Sequence, residues 1–515
     1  MGVTNWLVLF LTHPNEFRTL LQFYLYHEQK RDIQATQEHP TSGWDRASMR
    51  RCWEFLDQTS RSFAAVIKEL DGDLARTICL FYLVLRGLDT IEDDMTIPDE
   101  VKQPILRSFH KHTVTPGWTF DGCGPKEKDR QVLVEYNIIV DELNLLLPEY
   151  REVIIDITHK MANGMADYAH KAATTGSIYL STISEYDLYC HYVAGLVGEG
   201  LSRIFSASKK EAPWLGSQLE LSNSMGLLLQ KTNIIRDFRE DTDQHRHFWP
   251  KEIWGRKEFG FEEMNEMYRD GAEERALWVS TAMIVDALRH ATDALDYLRL
   301  LKNQSVFNFC AIPAAMAIAT LELCFMNPKM FQMNIKIRKA EAAKLIMRST
   351  NPREVAVIFR EYTRKIHRKA VISDPNFLEL SVTCGKIEQW CEHHFPSFVQ
   401  LVERKAGSHP AAPTSNELSL NPYDLRSKIV QRHQLLDAAE EKKQMAERFN
   451  ARVAARGGVV GAGAGGGAVG EGAGLLGTSA DFWEFVTWIG GALFLILGLS
   501  GGIIWAVLKF SEEFE

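Results

Sequence analysis

From about residue 44 to 400, apolar residues return at every third or fourth position, the period of helices buried along one face. The period is clearest in residues 63–67, 80–88, 193–205, 225–235 and 288–301. Alternating apolar and polar runs joined by Asn-Gly turns, the mark of hairpins, are largely missing. Breaks at 71–73 (DGD), 115–117 (TPG) and 122–125 (GCGP) read as loops between helices. The pattern predicts an all-α, single-domain body over residues 1–400, long enough to close around a central cavity.

Beyond residue 400 the periodicity stops. Residues 405–422 are rich in Pro, Ser, Asn and Ala, residues 424–455 are charged, and residues 457–477 are Gly/Ala low complexity. Together, residues 401–481 read as a linker that cannot build a core. Residues 485–508 then run for 24 positions without a charge. At helical rise this spans roughly 36 Å, enough for a ~30 Å hydrocarbon core. Trp483, Trp488 and Trp505 suit the two interfaces. The expectation is a transmembrane anchor at 482–509 and a short tail at 510–515, inserted late, with the large domain left in the cytosol. At the other end, Trp6 to Leu11 is apolar but has no basic start, so it is not a secretory signal. It predicts the first buried helical turn of the domain.

Charge and cysteines narrow the class. A net charge of −9 offers no basic face for nucleic acid. Eight cysteines at 52, 79, 123, 190, 310, 324, 384 and 391 form no CxxC pair and fit buried free thiols. Cys391, His393 and His394 lack a second ligand cluster nearby in sequence.

Two acidic clusters change the picture more. Asp89 and Asp93, with Glu92 and Asp94, end the apolar run 81–88, and Asp237 and Asp241, with Glu240, end the run 227–235. A spacing of four places each pair on one helix face, where like charges oppose folding by a few tenths of a kcal/mol. Doing so twice calls for a cation. Oxygen ligands without His or Cys favour Mg²⁺, shared with the phosphates of a substrate. Basic and hydroxyl groups stand near: Arg86 three residues before Asp89, Arg236 beside Asp237, and Arg61 in a Thr-Ser-Arg-Ser helix start. Lys128, Arg130 and Arg246 are further candidates. No G-x-G-x-x-G opens a βαβ unit, so a dinucleotide has no Rossmann seat.

Five longer motifs occur in order: TSRSFAAVI at 59–67, YLVLRGLDTIEDD at 82–94, YCHYVAGLVG at 189–198, QKTNIIRD at 230–237 and NQSVFNFCAIP at 303–313. With the carboxy-terminal anchor, the chain resembles the squalene synthases of the phytoene/squalene synthase family over about residues 40–350. The resemblance implies an isoprenoid synthase helical fold with one central cavity. It implies head-to-head joining of two farnesyl diphosphates to presqualene diphosphate, then NADPH-dependent rearrangement to squalene for sterol synthesis. It places Asp89, Glu92, Asp93, Asp237 and Asp241 on Mg²⁺, with Asp94 and Glu240 in support. Ser60, Arg61, Ser62, Tyr82, Arg86, Gln230 and Asn233 would bind the diphosphates. Tyr189 would act in the first half-reaction, Phe307 and Phe309 in the second, and Lys128, Asn233 and Arg246 toward phosphate or NADPH. It further implies a monomeric catalytic domain on the endoplasmic reticulum membrane, facing the cytosol. The second acid motif departs from the family's usual Asp-Tyr-Leu-Glu-Asp, because Phe238 and Arg239 fill its middle. A phytoene or dehydrosqualene type synthase that needs no reductant is the nearest alternative. A non-catalytic membrane-tethered scaffold is the more distant one, and the four retained aspartates speak against it.

Overall fold

The computed structural model describes residues 3–26 and 31–397; the expected linker, anchor and tail lie outside the described residues. The described chain is almost entirely helical, as the apolar period predicts. Two helices open it, α1 (Val3–Thr12) and α2 (Pro14–Tyr26). The elements that build the site follow. They are α3 (Leu74–Asp93), α4 (Pro148–Thr175), α5 (Ile183–Cys190), α6 (Leu196–Ala207), α7 (Leu219–Arg236), α8 (Phe238–Asp243), α9 (Glu273–Leu288) and α10 (Gln304–Cys324). Then α11 (Lys339–Arg348), α12 (Pro352–Lys369) and α13 (Phe377–His394) close the described part. Among the described residues the strands are β1 (Ile178–Tyr179) and β2 (Arg246–His247), a short parallel pair.

Helices α3 and α10 are buried on nearly every face, which is why their sequences read as continuous apolar runs rather than stripes. Asn303 caps α10, its side chain accepting from the backbone N–H of Ser305 at 2.9 Å and of Val306 at 3.1 Å. Helix α10 is long and apolar enough to cross a bilayer, yet 72% of its most apolar window lies inside the domain. It is a core helix.

Helix α7 packs at backbone distance on the chain that follows α5. A Cβ on Gly226 would sit 2.5 Å from the Ala194 carbonyl oxygen, and one on Gly195 would sit 2.0 Å from Asn223 Oδ1. Only glycine permits that approach. Between α5 and α6, residues His191–Gly195 form a single π-helical turn, a bulge that re-aims the side chains on either side of it. All eight cysteines are buried and unpaired.

The amino terminus differs from expectation. Residues 3–12 do form a helix, but Val8, Phe10 and Leu11 are exposed rather than buried. An apolar run foretells a helix; whether another surface covers it depends on neighbours that the local pattern does not encode.

Candidate active site

An apolar cavity opens between α3, α6, α7 and α10, with an empty volume of about 950 Å³ including its mouth. Phe81, Tyr82 and Leu85 of α3, Val193, Val197 and Leu201 around the π turn and α6, and Met225, Leu229 and Gln230 of α7 line it. Phe309, Cys310 and Pro313 supply the α10 wall. Almost no polar group reaches into this space. It can hold a long hydrocarbon chain and keep water away from it.

Both acid clusters lie just past this cavity on the same two rods: Leu85 lines it one turn before Asp89, and Gln230 lines it two turns before Asp237. Asp89, Glu92 and Asp93 occupy the last turn of α3, the negative end of its dipole, where carboxylates are least welcome. Burial pushes the Asp89 carboxyl up to about 7, only partly offset by Arg86, and pushes buried Glu92 well above its usual range. Asp237 is the hinge between α7 and α8, and Asp241 sits one turn further on. Burial likewise pushes Asp241 up to about 7 against the pull of Arg246.

Arg246, on β2, joins the two clusters. Its guanidinium donates to Asp93 Oδ1 at 2.5 Å and to Asp241 Oδ1 at 3.0 Å. Its Nε is buried without a partner among the described residues. Arg236 is forked onto Asp237 at 2.8 and 2.5 Å. Arg86 is held loosely by comparison, 3.8 Å from both Asp89 and Asp129, with the Tyr82 hydroxyl at 3.1 Å.

Not every expected residue serves the clusters. Asp94 spends both oxygens on a loop: Oδ1 accepts from Thr96 at 2.8 and 2.6 Å, and Oδ2 from the Gly124 N–H at 2.7 Å. Burial alone would raise this carboxyl, but those bonds hold it below its usual range. It fastens Thr96 and the loop 113–129 to α3 through its two oxygens. Phe238 is buried against Trp249 and Phe331, with ring centroids 4.5 and 5.2 Å away. Arg239 turns outward to Asp243 at 2.7 Å and lies over the Tyr268 ring at 4.4 Å. The unusual middle of the second motif therefore faces away from the acids. Glu240 accepts from the Asn334 amide.

Tyr189 ends α5 and is buried, stacked on Phe248 at 4.7 Å and edge-on to Tyr168 at 5.1 Å. Burial, and then Glu92 and Asp93, push its hydroxyl well above the usual tyrosine value. Phe309 lines the cavity and meets Phe205 edge-on at 6.1 Å. Phe307 is buried but is not among the cavity-lining residues. Ser60 is buried at the break between two helices; the side chains of Arg61 and Ser62 lie outside the described residues. Asn233 and Lys128 are exposed, and Lys128 neighbours Asp129.

Sequence reasoning missed a buried charge cluster behind Tyr189. Lys231, fully buried, donates to Asp187 at 2.6 Å and to Asp286 at 2.5 Å, and Arg289 joins both acids. Burial would push Asp187 up, but Lys231 and Arg289 hold it below its usual range. The cluster locks α5, which carries Tyr189, to α7, which ends on Asp237, and to α9. Its one local hint was a lysine inside the apolar run of α7.

The acids fit a divalent cation. Among the described residues no three His, Cys, Asp or Glu side chains converge as a ready-made cage. What exists is a set of partly buried carboxylates, with Arg246 and Arg236 already paired to three of them. That donor set suits Mg²⁺, which takes few protein ligands and completes its shell with water and phosphate.

Known proteins agree with this geometry. The squalene/phytoene synthase family profile matches residues 56–341. A squalene synthase of Ganoderma lucidum is 65% identical over 453 residues, 86% of this chain and 95% of the relative. One of Mycosarcoma maydis is 53% identical over 78% of this chain and 72% of its own length. A solved structure described as the complex of TcSQS with the ligand E5700 superimposes with a TM-score of 0.64 at 37% identity, over 68% of this chain and 99% of that one. With helices, cavity and paired acids in place, a family profile over residues 56–341 and a relative matched over 95% of its length, the chain belongs to the squalene/phytoene synthase family.

Proposed function

We propose that this chain is a squalene synthase: it joins two farnesyl diphosphates head to head into presqualene diphosphate, then reduces and rearranges that product to squalene with NADPH, a step toward sterols. The carrying observation is that Arg246 ties the two acid clusters together past one end of a nearly unbroken apolar cavity.

The residues divide the work. Asp89, Glu92 and Asp93 on one side, and Asp237 and Asp241 on the other, would hold Mg²⁺. When bound, the metal neutralises the charge that develops on a departing diphosphate. Arg86, with the Tyr82 hydroxyl at 3.1 Å, has donors to spare for phosphate oxygens, and Ser60, Arg61, Ser62, Gln230 and Asn233 extend that reception. The cavity walls exclude water from the carbocation, and the Tyr189 and Phe309 rings offer π density to it. With its pKa raised, the Tyr189 hydroxyl stays protonated at neutral pH. Tyr189 then acts through its ring and its O–H, and the released pyrophosphate is the better base. Lys128 and Asn233, both exposed, and Arg246 offer cations and an amide to a phosphate-bearing reductant, which would supply hydride to the rearranged cation.

The reading extends to placement. Residues 1–400 form the catalytic unit, residues 401–481 a tether and residues 482–509 an anchor, holding a monomeric domain on the cytosolic face of the endoplasmic reticulum.

Product analysis tests the proposal. With farnesyl diphosphate and Mg²⁺ alone, presqualene diphosphate should accumulate, and adding NADPH should convert it to squalene. Full yield of a desaturated C30 hydrocarbon without NADPH would replace this reading with the dehydrosqualene type.

A further inference from the structure

The exposed amino-terminal pair has no place in that chemistry. Helix α1 packs on α2, with the Phe10 and Phe17 rings edge-on at 5.0 Å, and α2 packs in turn on α11. Outward from the pair stand Val8, Phe10, Leu11, Leu21, Tyr24 and Leu25, with Leu11 77% and Tyr24 79% exposed. Leu21, Tyr24 and Leu25 share one face of α2, three and four residues apart. A contiguous apolar surface of this kind is uncommon on a soluble domain and marks an interaction site.

Its surroundings are cationic. Arg18 on α2 and Arg338, Lys339 and Lys344 at α11 are exposed and outnumber the nearby acids, Glu16, paired with Arg338 at 2.6 Å, and Glu341, paired with Lys344 at 3.7 Å. Apolar side chains fringed by Lys and Arg are the composition of a surface that lies on an anionic bilayer, aliphatic groups among the acyl chains and cations at the headgroups. We infer that the α1–α2 pair is a bilayer-docking face of the catalytic domain.

The chain outside the described residues favours a membrane as the occupant. It continues from residue 398 and carries the uncharged stretch at 485–508. A Gly/Ala-rich sequence of the intervening length can reach roughly 50 Å, whereas the radius of gyration of a 400-residue domain is about 21 Å. Any face of the domain can therefore meet the bilayer, and tethering raises the effective concentration of a weak contact. Docking thus rests on the anchor reading above.

The test uses the full chain in vesicles of phosphatidylcholine and phosphatidylserine, with an environment-sensitive fluorophore on Leu11→Cys or, as control, on Ile372→Cys, which is 86% exposed in the native chain. The native cysteines are buried and escape labelling. Flotation with the vesicles reports the anchor by itself. The Leu11 probe should be blue-shifted and quenched several-fold more by nitroxide lipids than the Ile372 probe. Adding Val8→Asp and Leu25→Asp should abolish that difference while turnover in detergent is unchanged. A chain that does not float overturns the anchor and the docking together. A floating chain whose Leu11 probe remains in water overturns the docking alone. A blue shift without lipid quenching also overturns it, pointing to a second copy if it grows with protein density and to the chain's own linker if it does not.

Discussion

Arg246 donates to Asp93 at 2.5 Å across 153 positions of sequence, and with its other arm it holds Asp241. An internal cation thus stands between the two acid clusters. Replacing it tests both of its effects. Arg246→Met should lower kcat by about a hundredfold or more, the scale of losing one preorganised charge at a developing anion. Binding of Mn²⁺ to the substrate-free protein, followed by electron paramagnetic resonance, should become tighter, because the competitor is gone. Weaker metal binding would mean that Arg246 organises the acids rather than competing for them.

The partly buried acids also predict a pH signature. The Asp89 and Asp241 carboxyls lie near 7 in the folded chain and near 3.8 when unfolded, so the folded state binds more protons between those values. Stability they contribute is present at low pH and is lost as pH rises through about 7. In chelator, the thermal midpoint of the native chain should therefore fall relative to Asp89→Asn over that window. Added Mg²⁺ should remove the difference for the native chain and leave the variant unaffected. Turnover by Asp89→Asn should drop by at least a hundredfold with the fold intact, and retained activity would remove Asp89 from the clamp.

The two phenylalanines of α10 separate cleanly. Phe309 lines the cavity and Phe307 does not. Each change to Ala should cost about 3–5 kcal/mol in urea unfolding, since both side chains are buried. Only Phe309→Ala should admit water to the cation, seen by gas chromatography as a larger share of alcohol by-products. Equal product mixtures from the two variants would contradict the placement of that wall.

Lys231 gives a prediction about folding. Lys231→Met leaves buried Asp286 and half-buried Asp187 with an incomplete partner set and should cost about 3–5 kcal/mol. Denaturant titration reads this directly. A loss within about 0.5 kcal/mol, the range of an ordinary surface change, would show that Arg289 alone satisfies both acids.

These residues also show how far the chain could be read unaided. The aspartates at spacing four, the apolar helices and the free thiols were legible because each is a local pattern with a local cause. Asp94 looked like the fourth acid of its cluster, yet its oxygens bond to Thr96 and Gly124, the latter 30 positions away. Lys231 finds Asp286 at a separation of 55, and Arg246 finds Asp93 at 153. Partners at such range are set by how helices pack, and helical period carries no record of that. The exposed Leu11 fails for the same reason in reverse: the pattern marks it apolar, and among the described residues no neighbour comes to cover it.

The π turn at His191–Gly195 also sets the phase of the chain on either side of it. An extra residue in one turn advances the chain by about 100° relative to an unbroken α-helix. Tyr189 before the turn and Val197 after it are therefore held in a phase that substitution cannot reset and deletion would. Removing His191 would preserve every lining side chain of the cavity and still swing Tyr189 away from Phe248. In this segment the chain stores its chemistry as an angle, and residue count matters there as much as residue type.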